Sequence, residues 1–288
     1  MTPLVVAVLA ASEAVMSAIF LAVLLGLAGL GIDLGYIQFQ QPAQQSAAGT
    51  CLYVLGAGIS TAGVDFDAPR CGVVVNGPVS SSGGIINAGY FGYSGTLSNT
   101  GTTFSGAQPT QMAPAVNPCP NIAGCNYLTN NAPTGTSMSS FIQSGGSLAL
   151  RPGTYGSLSL SGVNLTLSPG LYVFTGNVSD AGGTITGSGV TIYQRSGGFS
   201  SNGASDSLSA CTASCSNGAV SGVLYFQPAR NSSGSNFSGA SATYDGLVYA
   251  PSSAVYMSGS GRGYAIYVVG SASLAGGTFS DTPTQQNT

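Results

Sequence analysis

"RPGTYGSLSLSGVNLTLSPGLYVFTG", Arg151 to Gly176, says one phrase twice: Pro-Gly-Thr-Tyr ending at Tyr155 and Pro-Gly-Leu-Tyr ending at Tyr172. Between the echoes lie "SLSLS" and "NLTLS", in which Leu alternates with small polar residues. Alternation with a period of two turns one side of a strand to a core and the other to water. Pro-Gly pairs turn a chain, because Pro presets φ and Gly accepts the conformations that other residues avoid. The stretch therefore predicts strand, corner, strand, corner, with Tyr155 and Tyr172 near one another on successive coils.

The same texture extends in both directions. "CLYVLGAGI", "CGVVVNG" and "GGIINAGYFGYSG" precede the stretch, and "GTITGSGVTIYQ", "GVLYFQP", "GLVYAP", "VYMSGSG" and "YAIYVVG" follow it. These are short strand signals punctuated by Gly, and no helical period competes with them after residue 60. Tyr155, Tyr172 and Tyr193, then Tyr225, Tyr249 and Tyr267, recur at irregular intervals of about 20 residues, as in a coil whose turns vary by loop insertion. A parallel β-helix is the predicted fold, with Val, Leu, Ile and Tyr stacked inside, Ser, Thr and Asn outside, and Gly at the corners. A β-sandwich is the alternative, since it produces similar strands.

This reading divides the chain into an amino-terminal membrane helix with a short extension (1–45), a first solenoid section (46–107), a Pro- and Asn-rich loop (108–145), a second solenoid section (146–280) and a tail (281–288). A further excursion, Arg195 to Gly218, carries Cys211 and Cys215.

The membrane helix is expected because Ala14 to Ile32, "AVMSAIFLAVLLGLAGLGI", carries no charge and as a helix spans about 28 Å. The segment before it has no Lys or Arg and the apolar run is long, so an uncleaved anchor is favoured over a signal peptide. Glu13 belongs near an interface, where it is either a tolerated carboxylate or a contact with a partner. "GLAGLG", Gly26 to Gly31, lies within this segment and precedes no strand–helix–strand unit, so it marks close helix packing rather than a dinucleotide site.

Of the 288 residues 43% are hydrophobic and only 5% are charged, with no Lys, His or Trp. The five cations, Arg70, Arg151, Arg195, Arg230 and Arg262, are scattered, so no basic patch points to nucleic acid. Cys51 and Cys71, Cys119 and Cys125, and Cys211 and Cys215 fall as near neighbours. Without His, disulfides in an oxidising compartment are the better reading than zinc, although fifteen connectivities are open to six cysteines. The bulk of the chain is thus expected outside the cytoplasm, in the periplasm or beyond the cell.

Catalytic groups are scarce. Without His or Lys there is no Ser-His-Asp, Cys-His or Ser-Lys arrangement. Asp65 and Asp67, two apart in "VDFDAPR", share one side of a strand and form the only carboxylate pair suited to Ca²⁺ or to glycoside cleavage. The blander reading is two solvated turn residues near Arg70. Asp180, Asp206, Asp245 and Asp281 sit among Gly, Ser and Asn and read as loop residues. No cofactor and no metal is expected.

The stretch "LLGLAGLGIDLGYIQFQQPAQQSAAG", Leu24 to Gly49, with "CGVVVNG", "MAPAVNPCP" and the "PGTY", "SPGLYVF" and "GVTIY" phrases, resembles TadG-like proteins of the tight-adherence, or Flp, pilus system. The resemblance implies an exported, membrane-anchored structural or accessory component that works with pilus-assembly proteins and has no enzymatic activity. A second expectation is a surface adhesin that holds glycans with exposed Tyr and Asn. "LSPGLYVF" is also similar to ice-binding β-helices, but no regular Thr ladder is evident, because Thr184, Thr186 and Thr191 do not recur on the following coils. A polysaccharide lyase or hydrolase built on Asp65 and Asp67 is the third.

Overall fold

Leu158–Ser161 and Asn164–Leu167 alternate buried and exposed residues, whereas the next strand, Gly170–Phe174, is almost wholly buried. This sequence of two alternating strands and one apolar strand is a single coil, and its repetition builds a parallel β-solenoid of about eleven turns. The computed structural model describes residues 49–135, 139–203, 205–263 and 265–280. The expected membrane helix, Glu13 and Asp281 lie outside the described residues, and among those described no helix is long and apolar enough to cross a membrane. Every strand pairing among them is parallel, which excludes the β-sandwich.

Three faces result. On the first, Phe141–Ser144, Leu158–Ser161, Val178–Ala181 and Phe199–Gly203 stack in order. On the second, Ser147–Leu150, Asn164–Leu167, Thr184–Ser188 and Ser207–Ser209 do so. On the third, Gly153–Tyr155, Gly170–Phe174, Val190–Gln194 and Val223–Phe226 follow. Side chains from all three converge on one core that includes Leu158, Leu165, Tyr172, Phe174, Ile185 and Ile192.

The corner between the first and second faces is a fixed unit. The inward residues that flank it stand seven apart in Ile59 and Phe66, Val79 and Ile86, Leu97 and Phe104, Phe141 and Leu148, Leu158 and Leu165, and Val178 and Ile185. Four residues into each unit is a glycine, Gly63, Gly83, Gly101, Gly145, Gly162 or Gly182, with φ between 58° and 74° or, at Gly101, 79°. Only glycine takes this left-handed conformation without a Cβ clash against its own backbone, so the corner recurs because the glycine does.

The echoed phrase folds less simply than its sequence suggests. Tyr155 pairs with Phe174, and Tyr172 pairs with Gly153, so the two Pro-Gly-x-Tyr phrases are out of register by two residues. A slip of two leaves each side chain on its original side of the sheet. Both tyrosines therefore point inward, with rings stacked at 6.3 Å and 17°. The Tyr172 hydroxyl donates to the carbonyls of Leu150 (2.9 Å) and Ser168 (2.7 Å), and that of Tyr155 to Arg151. Pro152 fills the space above Gly170, where a Cβ would stand 2.2 Å from the Pro152 ring.

The chain does not wind from one end to the other. Thr50–Val75 lies in the interior of the stack, pairing with Ala265–Ala275 and Thr278–Ser280 on one side and with Val79–Tyr93 on the other. From there the chain winds to one end at Leu97–Thr100, Thr103–Phe104 and Thr110–Gln111, crosses to the opposite end at Phe141, and winds back until its last coil docks on its first. The crossing segment is the Pro/Asn-rich stretch expected to be a loop. It is a strap with its own helix, Ala123–Asn130, pinned by Cys119–Cys125.

The strap covers the outside of the third face. Ala115 is held by the Asn76 amide (2.6 and 2.7 Å), Asn117 donates to the Tyr249 hydroxyl (2.9 Å), and Arg195 donates to Pro133 O (2.5 Å). Beneath it Tyr193, Phe226 and Tyr249 stack, with centroids 5.4 and 4.9 Å apart. With a core on one side and a strap on the other, these third-face strands are buried throughout, which is why "VTIYQ" and "VLYF" do not alternate buried with exposed residues.

Two substitutions separate the roles of glycine. A Cβ at Gly162 meets nothing within 4 Å, so Gly162→Ala carries only backbone strain and is expected to destabilise by about 1–2 kcal/mol. Gly170→Ala adds a collision with Pro152 and is expected to cost more; urea unfolding of both variants measures the difference.

Candidate functional site

The outward residues of the first two faces come into register as rows of small polar groups. On the first face Ser159, Ser179, Ser200 and Asn236 follow one another. On the second, Thr166, Thr186, Ser207 and Thr243 form a hydroxyl ladder, flanked by Asn164 with Thr184 and by Ser188 with Ser209. Adjacent strands hold these groups about 4.8 Å apart. Thr184 Oγ1 donates to Asn164 Oδ1 (3.1 Å), and the Thr186 and Thr166 hydroxyls are 3.4 Å apart.

Thr186 is followed on the next coil by Ser207 rather than by Thr, so no regular Thr ladder forms, but a row of hydroxyls does. Ser207 and Thr243 continue its row, but the loops between them hide the period in the sequence. Part of the excursion from Arg195 to Gly218 is itself strand, Phe199–Gly203 and Ser207–Ser209, lying on the first two faces.

Asp65 and Asp67 share one side of their strand, as expected, and both are exposed on the continuation of the second face. They are strand residues rather than turn residues. Asp65 Oδ1 accepts from the Ile85 amide (3.1 Å) and Asp67 Oδ1 from the Asn87 side chain (2.8 Å). Among the described residues no group of three His, Cys, Asp or Glu is placed to hold a metal ion.

Among the described residues, tyrosines do not form the exposed platform expected for sugar stacking. Tyr155, Tyr172, Tyr225 and Tyr244 are in the core, and Tyr53, Tyr193 and Tyr249 are buried on the third face. Tyr90, Tyr127 and Tyr256 are exposed, on separate elements.

Asp180 and Asp206 are not loop residues in water; they are 1% and 3% exposed inside the solenoid. Asp206 accepts from the Ile185 amide (2.9 Å), the Tyr244 hydroxyl (2.8 Å) and the Ser201 hydroxyl. Three donors satisfy the hydrogen-bonding demand of this buried side chain. Asp180, between Leu160 and Ser201 in its row, has no hydrogen-bond partner on either carboxylate oxygen. Burial, and then the charge of Asp206, push Asp180 up to about 6. Polar neighbours in sequence gave no sign of this; the signal is register, because position 180 repeats the inward Leu160.

The described residues also form a cavity and a groove. An apolar cavity of about 70 Å³ lies where the last coil meets the first, among Leu52, Phe66, Phe237, Met257, Leu274 and Phe279. An open groove of about 620 Å³ runs beside Arg151, Pro152, Thr154, Ser168 and Asn217, bordering the echoed phrase. It brings one cation and several neutral polar groups together, a set that can hold a ligand but supplies no acid–base pair.

The six cysteines pair as near neighbours: Cys51 with Cys71, Cys119 with Cys125, and Cys211 with Cys215, at Cα separations of 5.5, 5.2 and 5.6 Å. Cys51–Cys71 joins consecutive turns within Thr50–Val75. Replacing both by Ser is expected to lower stability by about 3 kcal/mol, the chain-entropy value for a loop of about twenty residues, and denaturant titration checks it.

The pH prediction has a definite sign. A carboxyl raised from 3.8 to about 6 on folding binds its proton more tightly in the native state, so its contribution is full below pH 4 and is lost as pH rises to 6. The loss is about 3 kcal/mol. Asp180→Asn is expected to remove most of this drop, read from urea midpoints at pH 4 and pH 7.

No protein-family model, no curated protein and no solved structure matches this chain.

Proposed function

We propose that the chain is a non-catalytic surface component, tethered through Ala14 to Ile32, that holds the hydroxyl-lined faces of its solenoid against surface glycan. The observation that carries this reading is the in-register row Thr166, Thr186, Ser207 and Thr243, with the Ser159, Ser179 and Ser200 row on the neighbouring face. Hydroxyls both donate and accept, and a regular row of them suits a ligand that also repeats hydroxyls. Each hydrogen bond contributes only about 0.5–1.5 kcal/mol, so such a face gains affinity by number and length of contact. The three disulfides suggest an oxidising, extracytoplasmic location, where such a ligand is found.

A glycan array probed with residues 49–288 tests the reading. Binding is expected, with Thr186→Arg, in the middle of the ladder, losing most of it. A blank array would remove glycan as the partner. Thermal hysteresis in the same preparation, with the array blank, would assign the rows to ordered water instead.

A second reading, an accessory component of a pilus system, is favoured by the Leu24 to Gly49 pattern. A deletion strain is then expected to lose adherence, and a tagged full chain to retain pilus-assembly proteins from membranes. Intact piliation in the deletion strain would count against it.

A further inference from the structure

Among the described residues, nothing covers the two ends of the solenoid. Leu97 continues the inward row of Val79, yet Leu97 is 36% exposed where Val79 is 1%. At the other end Phe141 and Leu148 are only partly buried, whereas their neighbours Leu158 and Leu165 are each 2% exposed. The end strands pair on one side only among the described residues: Leu97–Thr100 with Val79–Tyr93, and Phe141–Ser144 with Leu158–Ser161. Solenoids ordinarily close such ends with polar caps, and free sheet edges with charges. Here the residues from Leu97 to Gln111 include no charge, and those from Phe141 to Tyr155 include one, Arg151.

The open ends also match each other. Leu97, Gly101, Phe104 and Gln111 have the same spacing as Phe141, Gly145, Leu148 and Tyr155. Both glycines are left-handed, at φ 79° and 67°, so both coils turn the same corner at the same place. Asn99 and Gln143 occupy equivalent inward positions two residues after Leu97 and Phe141. Both coils advance along the axis in one direction, so the coil ending at Gln111 is followed naturally by one that begins like Phe141. The molecule already contains a junction of this kind, because Ala265–Ala275 and Thr278–Ser280 dock on Thr50–Val75 in parallel register without chain continuity.

We propose that this chain associates head to tail with a second copy, Leu97–Gln111 of one docking edge-on against Phe141–Tyr155 of the next. Leu97 lies opposite Phe141, Phe104 opposite Leu148 and Gln111 opposite Tyr155. The contact joins two different surfaces, so it is heterologous and leaves a free end for the next copy. It extends one parallel ladder on each face and covers the apolar groups that end the inward rows. It does not depend on glycan binding.

Ser98 and Ile142 are exposed, outward and opposite in this register, so Ser98→Cys with Ile142→Cys in one chain places two thiols across the junction. The full chain, purified in detergent and mildly oxidised, is expected to give a ladder of dimers, trimers and higher species on a non-reducing gel. Adding Leu97→Lys to the pair is expected to abolish the ladder, while circular dichroism reports the fold of that variant. A ladder of equal strength from Ser98→Cys with Ser179→Cys, where the second thiol lies two strands in from Ile142 on the same face, would overturn the proposal. So would a monomer by sedimentation with no ladder, or dimers from Ser98→Cys alone with no ladder from the pair.

Discussion

In a parallel solenoid every inward side chain rests on another from the neighbouring coil, and the strand cannot slip by a single residue without turning its apolar side to water. That parity condition governs this molecule more strongly than any individual contact. It tolerates the two-residue displacement between the Pro-Gly-x-Tyr phrases, because Tyr155 and Tyr172 still face inward and stack. It permits insertions of any length at other corners, such as the one closed by Cys211 and Cys215 between Ser209 and Val223. It does not permit variation between the first and second faces, where one glycine and seven residues recur from coil to coil.

The architecture was legible in the sequence because alternation and glycine punctuation report parity and corners directly. The period was less so. Intervals between tyrosines vary with the insertions at the corners, whereas the constant interval runs from Leu158 to Leu165 or from Val178 to Ile185 and involves no tyrosine. The Thr166 to Thr243 row was hidden for the same reason. Asp180 resembles a loop residue in sequence because local composition describes what surrounds a residue in the chain, and burial here is decided by what lies one coil away. The strap reads as a loop because Pro and Asn obscure an eight-residue helix whose buried Cys125 and Leu128 join a cluster with Val173, Tyr193 and Phe226 on distant strands.

Burial of Asp180 sets a limit on what the interior is for. A core optimised only for stability would put a Leu at that position, as the preceding coil does with Leu160. Instead two carboxylates lie near a Ser and a Tyr, one supplied with three donors and the other with none. The hydroxyl rows on the outside and this polar cluster on the inside occupy the same middle coils, so a change in protonation inside lies one sheet thickness from the proposed ligand face.

The position of Thr50–Val75 in the interior of the stack has a consequence for biogenesis. Leu52 and Val54, among the first solenoid residues to emerge from a ribosome or a translocon, rest on Tyr267 and Val269, among the last. The early coils therefore keep one edge unpaired until nearly the whole chain is delivered, a closure across more than two hundred residues that favours slow, late folding. A protein built this way is complete only after its last coil has been delivered.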